Sequence, residues 1–161
     1  MNNQPLQFKK GDIFKTDEEK MSVAIAEAHL GLAEGGIPIG AALFDEEGRL
    51  LGSGHNRRVQ DGDASMHGET SAFRNAGRQK SYKKVTLATS LSPCWYCSGL
   101  IRQFGIGRVL VGDDKNFMGG QDWVAEHGAE LHVMNDAGLI KLMGDFIAAN
   151  DALWNEDIGE D

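Results

Sequence analysis

The sequence predicts an α/β domain with one sheet between two helical layers. Three observations carry this. Helical and strand patterns alternate in the order α-β-β-α-β-α-β-α-β-α, and such a series buries its apolar faces best as helix, sheet, helix. The length of 161 residues suits one well-filled core and is too short for two, so residues 1–161 read as a single domain without repeat or linker. The 21 glycines are scattered singly and in pairs, as many tight turns require.

The elements follow in chain order. Residues 1–12 are polar and read as a flexible N-terminal segment. Thr16 to Glu19 has the form of a capping box, with Glu19 reaching back. Met21, Ile25, Ala28 and Leu32 then share one helical face, and Gly35-Gly36 ends that helix. Residues 38–44 form an apolar strand, 45–48 a hairpin turn, and 49–54 the returning strand. Residues 55–65 are polar and suit the rim of a site. A helix follows over 67–77, a strand over 85–90, and a helix opened by Pro93 that runs to about Phe104. Strands at 108–112 and 130–134 flank a glycine-rich stretch around Gly119-Gly120. Asp136 caps a helix through Ile147, and the tail carries Trp154 and Asp157.

Composition narrows the function. An apolar fraction of 41% with 25% charged residues is that of a folded, water-soluble domain. Charges or glycines interrupt every apolar run before about 18 residues, which excludes a membrane-spanning helix. Residues 1–10 lack the apolar centre of a secretory signal, and two cysteines make no disulfide framework, so the expected compartment is the cytoplasm. Sixteen basic against 24 acidic residues leave a net charge of −8. That surface repels phosphate backbones, and Arg57-Arg58 and Lys83-Lys84 are too short to track one. The expected partner is a small molecule, with neither nucleic acid nor membrane.

Two short stretches carry the chemistry: His67-Gly68-Glu69 and Ser92-Pro93-Cys94-Trp95-Tyr96-Cys97. Each follows an extended segment and opens a helix. Cys94 and Cys97 are three apart, so at a helix start both sulfurs can face one point. A helix N-terminus also favours the thiolate that a metal needs. His67 supplies a third ligand from a neighbouring helix start. Thiolate with imidazole suits zinc, and three protein ligands leave a fourth position open, the pattern of a catalytic site. Glu69, two residues after His67, can lie beside the metal without binding it and carry a proton from water to a substrate nitrogen. His-x-Glu followed by Pro-Cys-x-x-Cys is the signature of zinc-dependent nucleobase deaminases.

Plainer readings compete with this one. A Cys-x-x-Cys pair after a strand also suits a thioredoxin-like redox site, but that leaves His67 and Glu69 without a role. A closed structural zinc site needs a fourth ligand. His29, His55, His127 and His132 qualify by type, but none has close ligand spacing. His29 reads most simply as a helix-surface residue and His132 as one face of a strand. A non-catalytic, zinc-stabilised binding domain has no use for a carboxylate poised beside the metal.

With these residues in view, the chain resembles the cytidine deaminase superfamily, and within it the fungal-type free-base cytosine deaminases. The resemblance runs from Glu34-Gly35-Gly36-Ile37-Pro38-Ile39-Gly40 to the tail Trp154-Asn155-Glu156-Asp157-Ile158-Gly159-Glu160. The zinc motifs mark the superfamily, and the tail narrows the choice towards free bases. The resemblance implies a three-layer α-β-α sandwich with a central five-stranded mixed sheet, and a homodimer. It implies one zinc ion per subunit on His67, Cys94 and Cys97, with Glu69 as the catalytic proton shuttle. It further implies that Asn56 and Asp157 bind the base edge, that Phe117 and Trp154 cover the ring, and that Gly68 and Ser92 line the pocket.

The expected reaction is hydrolytic deamination, cytosine giving uracil and ammonia, with a place in pyrimidine salvage. Guanine, a modified pyrimidine, a triazine or a nucleoside is the alternative substrate for the same chemistry. Trp95 and Tyr96 are bulkier than the pairs common in the superfamily, and Met66 and Thr70 also depart from the fungal pattern. Trp95 and Tyr96 are expected to reshape either the pocket wall or the dimer face.

Overall fold

The computed structural model describes residues 8–160, so residues 1–7 of the expected flexible segment lie outside the described residues. The chain order is α1 (Asp17–Ala33), β1 (Gly40–Phe44), β2 (Leu50–His55), α2 (Arg58–Asp61), α3 (Gly68–Ala76), β3 (Thr86–Thr89), α4 (Trp95–Phe104), β4 (Arg108–Val111), α5 (Gln121–Glu126), β5 (Glu130–Val133), α6 (Ala137–Ala149) and α7 (Asp151–Ile158). The five strands form one sheet in the order β2-β1-β3-β4-β5. β1 runs antiparallel to both β2 and β3, while β3, β4 and β5 run parallel, so the sheet is mixed as expected.

The period of two along the strands divides the core. Ala41, Leu43, Leu87, Val109 and Val111 face one side, where Ala72 and Ala76 of α3, Ile101 of α4 and Val124 of α5 cover them. Ala42, Phe44, Ala88 and Leu110 face the other, under Met21, Val23 and Ala24 of α1 and Leu139 of α6. A third cluster, of Ile37, Ile39, Leu91, Met143, Phe146 and Trp154, lies between α6, α7 and the loops that enter β1 and leave β3. The helices approach the antiparallel strands closely because these strands carry glycine. A Cβ on Gly40 would strike the Ala24 carbonyl and the Ala28 amide of α1, and one on Gly52 would strike the backbone of Ala76 in α3.

Caps place the helix starts. Thr16 accepts from the Glu19 amide at 3.1 Å, and Asp136 accepts from the Leu139 amide at 2.9 Å. Glu19 does reach back, but to the Lys15 amide, one residue earlier than the box requires. Arg108 at the start of β4 clamps Asp17 through two bonds of 2.5 and 2.7 Å, fixing α1 to the sheet.

Four details differ from the sequence reading. Residues 8–12 are tied down: the Gly11 amide donates to the Leu50 carbonyl, the Leu50 amide donates to Asp12, and Phe8 packs edge-on against Phe14. The buried face of α1 is Met21, Ala24, Ala28 and Gly31 together with Val23 and Glu27, whereas Leu32 is 39% exposed. Hydropathy misplaced that face because it holds a carboxylate and a glycine. Glu27 is buried by its bond to His55, and Gly31 leaves room for the His55 ring. The rim over residues 55–65 contains the four-residue helix α2, and the tail forms α7. Among the described residues, no helix is long and apolar enough to cross a membrane.

Candidate active site

The site forms where two helices start beside the ends of β1 and β3. His67 is the N-cap of α3 and Cys94 the N-cap of α4. Gly68 leaves space for Ile39, whose carbonyl lies where a Cβ would press. Thr70, one of the departures from the fungal pattern, accepts from the His67 amide at 2.8 Å and so fixes the turn that presents the imidazole. Cys94 opens α4 as its capping residue, its sulfur accepting from the Cys97 amide at 3.4 Å.

Nδ1 of His67 lies 3.4 Å from Sγ of Cys94, and the ligand atoms of His67, Cys94 and Cys97 all lie within 4.8 Å of one another. Tetrahedral zinc with bonds of about 2.0–2.3 Å holds its ligand atoms roughly 3.3–3.8 Å apart, so this group closes on such an ion with small movements. The electrostatics agree with a cation site. Bonding to Cys97 and His67 pulls the Cys94 thiol down to about 4 against the effect of burial. Burial pushes the His67 imidazolium down, but the Cys94 sulfur more than offsets it and the value rises to about 9. The Cys97 thiol is pushed well up, first by its contact with Cys94 and then by burial. These shifts favour the thiolate at Cys94, with the second sulfur beside it.

Glu69 is in the first turn of α3 and is buried. Burial raises its carboxyl above the usual range, and the charge on Cys94 raises it further. Its Oε1 lies 2.8 Å from the Thr89 hydroxyl at the end of β3. A carboxyl that holds a proton more firmly than usual, next to a metal-ligand cluster, has the properties of a proton shuttle.

A small cavity, about 20 Å³ and far below the roughly 300–1,000 Å³ of drug-sized ligand pockets, opens onto this centre. Every residue expected around the base borders it: Asn56, Gly68, Ser92, Phe117, Trp154 and Asp157, with His67, Glu69 and Cys94 at its floor. Ile39, Leu91 and Ile158, not singled out from the sequence, complete the apolar wall. Asn56 is fully buried after β2, and its Nδ2 donates to both Asp157 oxygens at 3.3 and 3.4 Å. Phe117 stands on a loop held by buried Asp113, which accepts from the Lys115 and Asn116 amides and from Asn116 Nδ2. The Phe117 ring meets Trp154 of α7 edge-on at 5.8 Å. Ser92 accepts from the Gly119 amide at 3.2 Å and pins that loop to the start of α4.

Trp95 and Tyr96 do not line the cavity. They are 65% and 52% exposed, Trp95 lying against Trp123 and Tyr96 edge-on to the His67 ring. They therefore shape an outer face and not the pocket wall. The other histidines have other places. His55 bonds Glu27 and Glu34, His127 bonds the Trp123 carbonyl, and His29 and His132 are exposed. The sequence reading missed Arg58, whose Nε donates to Asp157 at 2.8 Å. The partners are 99 residues apart, so spacing held no trace of the pair.

A larger hollow lies elsewhere, among Phe73, Tyr82, Phe104 and basic residues of 74–83, away from every group described above. It is open and shallow, and the chemistry is not there.

Comparison with known proteins agrees with this geometry. Residues 14–113 match the model of the cytidine and deoxycytidylate deaminase zinc-binding region. A cytosine deaminase of Candida albicans is 44% identical over 146 residues, covering 89% of this chain and 97% of that protein. A tRNA-specific adenosine deaminase of Buchnera aphidicola is 36% identical over 99 residues, covering 60% of this chain and 65% of that protein. Among solved structures, a guanine deaminase of Nitrosomonas europaea shares the fold with a TM-score of 0.73 at 18% identity, over 92% of this chain and 98% of that one.

Proposed function

The chain belongs to the cytidine and deoxycytidylate deaminase family, and from that premise we propose that it deaminates a free nucleobase, cytosine giving uracil and ammonia. The observation that carries the choice of substrate is α7. It brings Trp154 and Asp157 over the cavity and keeps it small, which disfavours a substrate larger than a bare ring. The extent of the similarities supports this. The match to the cytosine deaminase spans nearly the whole of that protein, whereas the match to the adenosine deaminase of tRNA covers under two thirds of it. The net charge of −8 also favours a small neutral substrate over a polyanion.

The proposed roles follow from the chemistry of each group. His67, Cys94 and Cys97 would hold one zinc ion, which when bound would lower the pKa of water beside the reacting carbon. The Asn56 Oδ1 is engaged by the Arg58 amide at 2.9 Å, so its Nδ2 is the face offered to the site. Asn56 thus donates to a base acceptor, and the Asp157 carboxylate beside it accepts from a ring N–H. Cytosine carries such an acceptor and N–H side by side, and in a nucleoside that N–H is replaced by the sugar. Phe117 and Trp154, edge-on to each other, together cover the ring and exclude water, while Gly68 and Ser92 complete the walls. Glu69 takes a proton from water, gives one to the ring nitrogen beside the reacting carbon, and delivers one to the departing amino group. Water in and ammonia out balances the reaction.

A homodimer belongs to the same proposal. Trp95, Tyr96 and Met118 expose large apolar surface beside the start of α4, and a second copy is the occupant we assign to it. A place in pyrimidine salvage follows from cytosine as substrate, and the cytoplasm is the compartment we assign from the cysteine usage. Sedimentation velocity tests the dimer. Ammonia release by the zinc-loaded protein tests the substrate, with cytosine, guanine, adenine, cytidine and tRNA in parallel. Cytosine is expected to exceed every other substrate by at least about tenfold in kcat/KM. Preference for guanine, cytidine or tRNA overturns the reading.

A further inference from the structure

We propose that Arg58 is a positioning residue for base recognition, acting through Asp157 and Asn56. This rests on the functional reading above and adds a residue to it. The Asp157 side chain is 4% exposed, and a carboxylate so far from water needs a counter-charge. Arg58 provides it: Nε donates to Asp157 Oδ1 at 2.8 Å, and Nη1 reaches Glu156 Oε2 at 3.3 Å. The Arg58 side chain is itself largely buried, 17% exposed, whereas Glu156 is 60% exposed. The pair that matters is therefore the one inside.

The main chain of Arg58 acts on the second recognition group. Its amide donates to Asn56 Oδ1, which turns Asn56 Nδ2 toward Asp157. One residue thus sets the polarity of the recognition edge twice, through backbone and through side chain. It also joins α2 to α7, so the edge exists only while α7 is seated. Arg57 is no substitute, because its guanidinium is turned away to Asp61 and Glu34. The two adjacent arginines look alike in sequence and do different work.

A double-mutant cycle on steady-state kinetics with cytosine tests this, with zinc content measured for each variant. Arg58→Gln is expected to raise KM about tenfold or more, with kcat changed less and zinc retained. Arg58→Lys, which keeps the charge and loses the planar fork, should fall between Gln and wild type. It also serves if the Gln variant does not fold. Asp157→Asn should raise KM at least as much, and adding Arg58→Gln to it should change KM no further, because its partner is already gone. Glu156→Gln should leave KM within about twofold, as an exposed pair would. Multiplying effects of Arg58→Gln and Asp157→Asn, or a Glu156→Gln effect equal to that of Arg58→Gln, overturns the proposal. A wild-type protein that deaminates no free base overturns the functional reading first, and this inference falls with it.

Discussion

The Thr89 hydroxyl lies 2.8 Å from Glu69 Oε1 and 2.9 Å from the Leu91 carbonyl. A hydroxyl has one hydrogen, so it donates to one of these at a time. When Glu69 is ionised the hydrogen serves Glu69. When Glu69 is protonated, Glu69 donates to Thr89 and Thr89 turns to Leu91. The end of β3 thus accommodates both protonation states of the proposed shuttle without moving any heavy atom. Glu69→Gln is expected to keep zinc and lose activity by about 10²–10⁴-fold or more. Thr89→Val, which removes only the hydroxyl, should cost less. Near wild-type turnover in Glu69→Gln refutes the shuttle role.

Metal removal gives a second prediction. Emission spectrometry should find one zinc per chain, and dialysis against a chelator should abolish activity until zinc is restored. Binding also links the starts of α3 and α4, so the stripped protein should unfold at lower temperature. Cys94→Ser should hold well under one equivalent, because it removes the sulfur held lowest, at about 4. Full zinc content in that variant would remove Cys94 from the ligand set.

The third prediction concerns α7. Deleting residues from 154 onward removes Trp154, Asp157 and Ile158 from the cavity wall. KM should rise steeply or activity vanish, while zinc content stays near one per chain. A folded truncated protein that deaminates normally rules out closure by α7.

His55 supplies a pH prediction. It sits between Glu27 at 2.9 Å and Glu34 at 2.7 Å. Burial pushes its imidazolium down, but bonds to the two carboxylates outweigh that and the net shift is upward. Arg57 Nη1, 3.2 Å from Nε2, opposes the shift but shares the Glu34 carboxylate. A raised folded value means the contribution to stability is complete below about 6.5 and is lost as pH rises through the folded value. The Tm gap between wild type and His55→Gln should therefore be wider at pH 6 than at pH 9. A gap independent of pH would show that His55 is held neutral.

Packing gives the fifth. A methyl on Gly40 meets the backbone of α1 and has nowhere to move. Gly40→Ala should destabilise the fold by about 1–3 kcal/mol in denaturant unfolding. An unchanged unfolding midpoint would mean that α1 can shift away from β1.

These residues also show what the sequence carried. The metal cluster and Glu69 were legible because their ligands repeat at short spacing on helix starts, and helix starts announce themselves through Thr16, Pro93 and Asp136. The five strands were legible as short runs between turn residues, β1 apolar throughout and β2 its hairpin partner. The face of α1 was not, because Glu27 is buried by a partner 28 residues away. Arg58 escaped for the same reason, and α2 because four residues carry no period. The anchoring of residues 8–12 rests on backbone bonds to the hairpin, to which side-chain pattern is blind.

The two sides of the cavity differ in how much change they can absorb. The floor hangs on the starts of α3 and α4, where a methyl on Gly68 would press on the Ile39 carbonyl and one on Gly119 would strike the Pro93 carbonyl. The roof is α7, carried on aromatic edges and on the Arg58 pair. Natural drift or laboratory selection toward a new base should therefore accumulate in the roof, at Phe117, Trp154 and Ile158, and leave the floor untouched. The protein is in effect a fixed reagent under an exchangeable cover, and a library confined to the cover risks little of the fold.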